Sequence, residues 1–210
     1  MKYIIIVILI AAVWSLVGYF TSRVEQAQYT VLSKTNSYEI RTYPEHIIAQ
    51  TTVEGDYRSG MSSGFRIVAG YIFGGNTGKQ PIAMTAPVVS TDTAVTEGTA
   101  IAMTAPVIIT ENSKKQTVSF GMPKGYTMET LPTPTDERVK IVRVPEKTIA
   151  AARFWGFRNK QTIARATEKL TKNLADAGIT TVGTVSYAGY SGPGTPPWMT
   201  RSEVMIEVVL

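Results

Sequence analysis

The sequence has no cysteine and a single histidine, His46. Without thiols there is no disulfide framework, no thiolate metal site and no cysteine nucleophile. One imidazole cannot build a multi-histidine metal centre, so any imidazole chemistry rests on His46. Charge is sparse and unclustered: 21 Lys and Arg against 16 Asp and Glu leave a formal net charge of +5 over 210 residues. A nucleic-acid interface would show a basic stripe, and none is seen, so no nucleic-acid partner is expected. The mild positive balance suits a small anionic ligand or an anionic membrane surface. Glu45, Glu54, Asp56, Glu146 and Glu203 are dispersed, and no nucleophile lies in a setting such as G-x-S-x-G, so the chain is not expected to be an enzyme. GGNTGK (74–79) lacks the spacing and the Lys-Ser/Thr ending of a phosphate loop and reads as a helix stop and turn. Asp136-Glu137 reads as a solvated turn in a Pro/Thr-rich link.

What is present begins with one long apolar run. Residues 3–20, YIIIVILIAAVWSLVGYF, carry no charge. At about 1.5 Å per residue they make roughly 27 Å of helix, close to the hydrocarbon thickness of a bilayer. Trp14, Tyr19 and Phe20 gather toward one end, where amphipathic rings favour the interface. Glu25 stands three before any cut after Ala27, which makes a poor cleavage site. The expectation is an uncleaved signal anchor over 1–22, with cleavage as the alternative, and a tether over 23–30. A domain over 31–210 then lies on the periplasmic or extracytoplasmic side, touching the membrane through 3–20.

Two repeats follow. IAMTAPV occurs at 82–88 and again at 101–107, and alternation puts Ile82, Met84, Ala86 and Val88 on one strand face, as it does Ile101, Met103, Ala105 and Val107. A longer offset relates IRTYPEHIIAQTTVEG (40–55) to IVRVPEKTIAAARFWG (141–156), where Ile40/Ile141, Pro44/Pro145, Glu45/Glu146, Ala49/Ala150 and Gly55/Gly156 coincide. The elements after them agree. A helix over 57–73, with Met61, Phe65, Val68 and Ile72 on one stripe, matches a helix over 158–174 with Ile163, Ala166, Leu170 and Leu174. Strand 82–90 falls on 182–190 and strand 101–109 on 202–210. A β-β-α-β-β unit therefore occurs twice, as half-repeats 38–110 and 139–210, with 111–137 as an insert carrying one strand, TVSFGM (117–122). Gly60, Gly64 and Gly70 weaken the first helix by up to about 1 kcal/mol each relative to Ala, and let another backbone or a flat ligand come close.

YEIRTYP, YIFGGN, two copies of IAMTAPV, VSFGMP and an aromatic-Pro loop before RSEV stand in this order over residues 31–210. Together they resemble the SOUL/heme-binding protein family. The resemblance implies an α+β fold, a distorted antiparallel β-barrel with two helices and a pseudo-twofold repeat like that of effector-binding domains. It also implies non-covalent binding of heme or another tetrapyrrole, without an established reaction. The terminal run departs from the family's arginine-arginine-asparagine-glutamate, reading Thr200, Arg201, Ser202, Glu203.

A flat, apolar ring with two carboxylates needs a greasy slot and cations at its rim. The first helix offers Met61, Phe65 and Val68 with Arg58 and Arg66; the loop YSGPGTPPWMTR (190–201) offers Trp198, Met199 and Arg201. By the resemblance, that helix and that loop line the heme site. Core packing is the competing role for Met61, Phe65 and Val68, as solvation is for the arginines. For iron, His46 is the candidate axial ligand by chemistry, although it lies in a strand-to-strand turn. Tyr57, Tyr187 and Tyr190 are alternative ligands, whereas Met84 and Met103 read as core. The function read here is a membrane-anchored heme-binding protein for buffering, delivery or sensing. The alternatives are an effector-binding module for another apolar or cationic ligand, or a protein-interaction domain.

Overall fold

The computed structural model describes residues 2–21, 25–55, 57–78, 81–82, 85–86, 88–92, 115–156, 159–191 and 195–210. In chain order the elements are α1 (Lys2–Thr21), β1 (Glu25–Gln26), β2 (Thr30–Lys34), β3 (Glu39–Tyr43), β4 (His46–Glu54), α2 (Tyr57–Ile72), β5 (Thr85–Ala86), β6 (Val88–Asp92), β7 (Lys115–Gly121), β8 (Lys140–Val144), β9 (Lys147–Phe154), α3 (Lys160–Asp176), β10 (Thr180–Gly189), a 3-10 turn (Pro197–Met199) and β11 (Ser202–Val209). The second IAMTAPV, the strand expected over 101–109, and Met84 lie outside the described residues.

Nine strands form one antiparallel sheet in the order β2-β3-β9-β11-β10-β6-β7-β4-β8, and β1 pairs with β5 in parallel. A barrel requires its first and last strands to bond to each other. Here β2 and β8 stand at opposite ends of the order. The expected barrel is therefore corrected to an open sheet.

The internal symmetry is present in this sheet. β6 and β10 lie side by side at its middle, with Ser90 opposite Tyr187, and moving outward β7 answers β11, β4 answers β9, and β8 answers β3. The first strand of each unit is exchanged: β3 pairs with β9, and β8 pairs with β4. β7, expected as an insert strand, holds in the first unit the place that β11 holds in the second. Of the first IAMTAPV, Thr85–Ala86 pair with β1 as β5, and Val88 begins the strand that joins the nine-stranded sheet. Ile82 instead folds back on α2, donating its N–H to the Ile72 carbonyl at 2.7 Å, and is buried in the core.

Strand alternation distributes the core. On one side α2 covers β4 and β7 through Ala49, Val68, Tyr71, Ile72, Val118 and Phe120. α3 covers β9 and β11 through Ala150, Leu170, Leu174, Val204 and Ile206, its first turn capped by the Asn159 side chain, which accepts from the Thr162 N–H at 2.8 Å. Ala151 and Met205, one residue along from Ala150 and Val204, join a third cluster with Tyr43, Ala188 and Tyr190. Successive strand side chains point to opposite faces, so this half of the sheet is covered on both.

The apolar N-terminal run folds as α1. Among the described residues, however, no helix is long and apolar enough to cross a membrane. The expected single-pass anchor, its membrane contact and the extracytoplasmic placement drawn from it are overturned on that finding. α1 meets the domain itself: Trp14 stands edge-on to Trp198 with centroids 5.5 Å apart, and Trp198 Nε1 donates to Ser15 Oγ at 3.4 Å.

Two of the α2 glycines are explained by helix-on-sheet contact. A Cβ on Gly64 would stand 2.6 Å from Val118 Cγ2, and one on Gly60 3.0 Å from Gln116 Oε1, whereas one on Gly70 meets nothing within 4 Å. It is the β7 side chains that come close at Gly60 and Gly64. Gly64→Ala is expected to destabilise the fold by about 1–3 kcal/mol through overpacking. Gly70→Ala is expected to stabilise it by up to about 1 kcal/mol through helix propensity. Urea unfolding of the two variants measures both, and equal effects would contradict the packing account.

Candidate functional site

The polar centre of the molecule grows out of two strand alternations. In β3, Ile40 enters the α3-side core, so Arg41 points to the opposite face. In β11, Val204 does the same and puts Glu203 on the face of Arg41. β9 lies between these strands, and its residue on that face, Ala151, is small enough for a guanidinium to reach across. Arg41 and Glu203 are 3% and 0% exposed. Their contact is a fork: Arg41 Nη1 donates to Glu203 Oε2 at 2.7 Å and Nη2 to Oε1 at 3.3 Å.

Further groups complete the shell. Tyr190 Oη donates to Glu203 Oε2 at 2.8 Å, and Arg201 Nη2 to Oε1 at 2.9 Å. Arg153 Nε stands 3.9 Å from the same carboxylate. On its other side Arg41 binds Glu39 through Nε and Nη2 at 2.9 and 2.7 Å, with its Cζ 4.3 Å from the centroid of the Tyr29 ring. Arg201 stacks at 4.0 Å over Tyr190. Burial pushes the Glu203 carboxyl up, but the bonds and charge of Arg41, helped by Tyr190 and Arg201, outweigh it and hold it below the ordinary carboxylate value. Burial, then the charge of Glu203, pushes Tyr190 far up, so it stays a neutral phenol. Both carboxylate oxygens of Glu203 and the guanidinium of Arg41 are hydrogen-bonded within the cluster. Its chemistry is cohesion.

The residues nominated from sequence scatter across the fold. Val68 is fully buried on the sheet-facing side of α2, and Met61 and Phe65 pack against the same core, the Phe65 ring 5.4 Å from Phe120. Arg66 is exposed on the outer side of α2, and Arg58 lies on that helix with its side chain outside the described residues. Tyr187 is buried, its hydroxyl 3.2 Å from Ser202 Oγ and its ring 6.1 Å from Phe154. Arg201 is held by Glu203, whereas Trp198 is 56% exposed on a loop tied down by Thr200 Oγ1 donating to the Gly156 carbonyl at 3.2 Å. His46 opens β4, and its Nδ1–H donates to the Pro44 carbonyl at 2.8 Å. α2 rests on β4 and β7, while the 190–201 loop joins β10 to β11.

One depression, of about 550 Å³, lies on the outer flank of α2. Ile67, Gly70 and Tyr71 supply its apolar lining, and Arg66 and Arg138 its cations, with Ser63 and Thr135 beside them. Asp136 anchors Arg138 through two hydrogen bonds at 2.9 and 2.7 Å, and those bonds bring its carboxyl down to about 2. The sequence reading caught Arg66, and Asp136-Glu137 stand in a solvated turn as expected, but it missed Arg138 beside them. It also missed Arg41 and Glu203 as a pair. The signal available was a charged residue alternating with core residues on a strand flanked by apolar neighbours. Among the described residues no group of three or more His, Cys, Asp or Glu could hold a metal ion.

Comparison with known proteins places this geometry. A family model described as SOUL heme-binding protein matches residues 24–207. No curated protein is a significant match. Among solved structures, the C-terminal domain of EcmrR aligns at 12% identity with a TM-score of 0.57, over 86% of this chain and 98% of that one. EcmrR in a complex with DNA aligns at 11% and 0.57, over 99% of this chain and 69% of that one. A protein from Listeria innocua described as a hydrolase aligns at 13% and 0.53, over 85% and 94%. At these identities the likeness is one of fold.

Removing one partner of a buried pair strands the other charge, so Glu203→Ala is expected to cost about 3–5 kcal/mol. Asp136→Ala, at an exposed pair, is expected to stay within about 0.5 kcal/mol of wild type. The contribution of Glu203 is present above its ordinary value of 4.5 and is lost as pH falls through the lower folded-state value. Urea unfolding from pH 7 down to pH 3 tests both statements: the acid-induced loss should be smaller in Glu203→Gln than in wild type.

Proposed function

The chain belongs to the SOUL heme-binding protein family, and from that premise we propose that it binds heme or a related tetrapyrrole reversibly and without covalent attachment, for buffering, delivery or sensing. The observation that supports a location is the depression on the flank of α2. Its volume is in the range of small-molecule sites. Ile67 and the bare backbone at Gly70 give a flat ring an apolar surface, and Arg66, with the N–H groups of Arg138 that Asp136 does not take, gives its carboxylates charge-assisted donors.

The fit to iron is different. No His, Cys or Met lines the depression, and the Tyr71 hydroxyl there donates to the Pro132 carbonyl at 2.9 Å. His46, with Nδ1 committed to Pro44, keeps Nε2 as a lone pair but lies at the start of β4, outside this lining. The reading is therefore of a ring held by its face and carboxylates, with the metal supplying redox and ligand chemistry only when bound. The competing reading, a module for a cationic effector, needs a carboxylate with charge to spare. Glu203 already faces Arg41 and Arg201, which weighs against it.

Titration of residues 25–210 with hemin and with metal-free protoporphyrin IX tests the proposal by absorbance and tryptophan quenching. Both ligands should bind with similar affinity, and Arg66→Ala and Arg138→Ala should each weaken binding by about three- to tenfold. His46→Ala should leave the hemin spectrum unchanged. Unaltered free-ligand spectra at micromolar protein would overturn the proposal. Binding of hemin alone, abolished by His46→Ala, would move the site to β4.

A further inference from the structure

The pseudo-twofold sheet has an odd strand. β6, β7, β4 and β8 are answered by β10, β11, β9 and β3, which accounts for eight strands; β2, paired outside β3, has no counterpart. The equivalent place is the outer edge of β8, which no described strand occupies. We propose that this edge accepts an extended, antiparallel segment of a partner protein carrying an acidic side chain opposite Lys140.

Charge at the two edges carries the choice of occupant. β2 runs antiparallel to β3, with Lys34 opposite Glu39 and its Nζ 2.9 Å from Glu39 Oε1. The offset that relates Ile40 to Ile141 relates Glu39 to Lys140, so the sign is reversed at the outer edge of β8. A strand docking on β8 as β2 docks on β3 must offer an acid where β2 offers Lys34. β2 of a second copy would set Lys34 against Lys140, and like charges directly opposite are destabilising. Arg143, exposed on the same strand, is paired with Glu45 at 3.1 Å, which leaves Lys140 to carry the charge of this edge. Lysine on an edge strand also discourages pairing between identical edges. The edge thus selects against its own copies and for an acidic segment, joined by main-chain hydrogen bonds as in strand addition.

The test uses two synthetic peptides of residues 28–36, QYTVLSKTN and its Lys34→Glu form, added to the full chain with backbone amides followed by NMR and hydrogen exchange. In the free protein, amides on the outer side of Lys140–Val144 should exchange fast. The Lys34→Glu peptide should shift and protect them about fivefold more tightly than the parent peptide. The preference should shrink at high salt and reverse in Lys140→Glu. Complete protection of these amides without peptide would overturn the proposal, since the edge would already be covered. So would equal or absent effects of the two peptides at residues 140–144. Concentration-dependent self-association through this strand would assign the edge to a second copy instead.

Discussion

The contact on which the rest of the structure depends is the fork between Arg41 and Glu203. It spans β9 and joins the first sheet strand of one repeat unit to the last strand of the other. Because the first strands are exchanged, each half of the sheet is built from both halves of the chain. The ion pair closes that exchange on a face where Tyr43, Tyr190 and Met205 exclude water. Taking two charges out of water is unfavourable unless every remaining donor and acceptor is met. Glu39, Tyr190, Arg201 and the ring of Tyr29 meet them.

The same arrangement sets the surroundings of the cationic and aromatic side chains. Arg201 and Tyr187, attractive as ligand-binding groups when read along the chain, are consumed by Glu203 and Ser202. Arg66 and Arg138, which come from a helix and from a distant Pro-rich link, share one depression. Between them Gly70 carries no side chain to close the surface, while Gly60 and Gly64 face the sheet. One helix thus uses its glycines in two ways, decided by the face on which each lies.

Much of the architecture was legible without coordinates. α2, α3 and the terminal strand fall within a few residues of their expected bounds, because the apolar periods of 3.6 and 2 are strong there. The errors have physical causes. IAMTAPV has the alternation of a strand, yet its first residue, Ile82, bonds to the end of α2, a tertiary contact that alternation does not encode. β7 read as an insertion because its place in the repeat is set by register against β4 and not by the sequence offset. The anchor was argued from the length and hydropathy of 3–20, the aromatic residues toward one end and a poor cleavage site, and among the described residues no helix is long and apolar enough to cross a membrane.

By itself the sequence determined the family, the doubled unit, the helical and strand periods, and the exclusion of thiol and multi-histidine chemistry. These are properties of residue type and spacing along one dimension. Only the tertiary structure decided that the sheet stays open, that the leading strands change places, and that Arg41 belongs to Glu203, 162 positions away. It also decided that Arg66 and Arg138 share one depression. Such outcomes depend on which strand lies beside which, and pairing over long separations is chosen by burial and hydrogen-bond satisfaction across the whole fold.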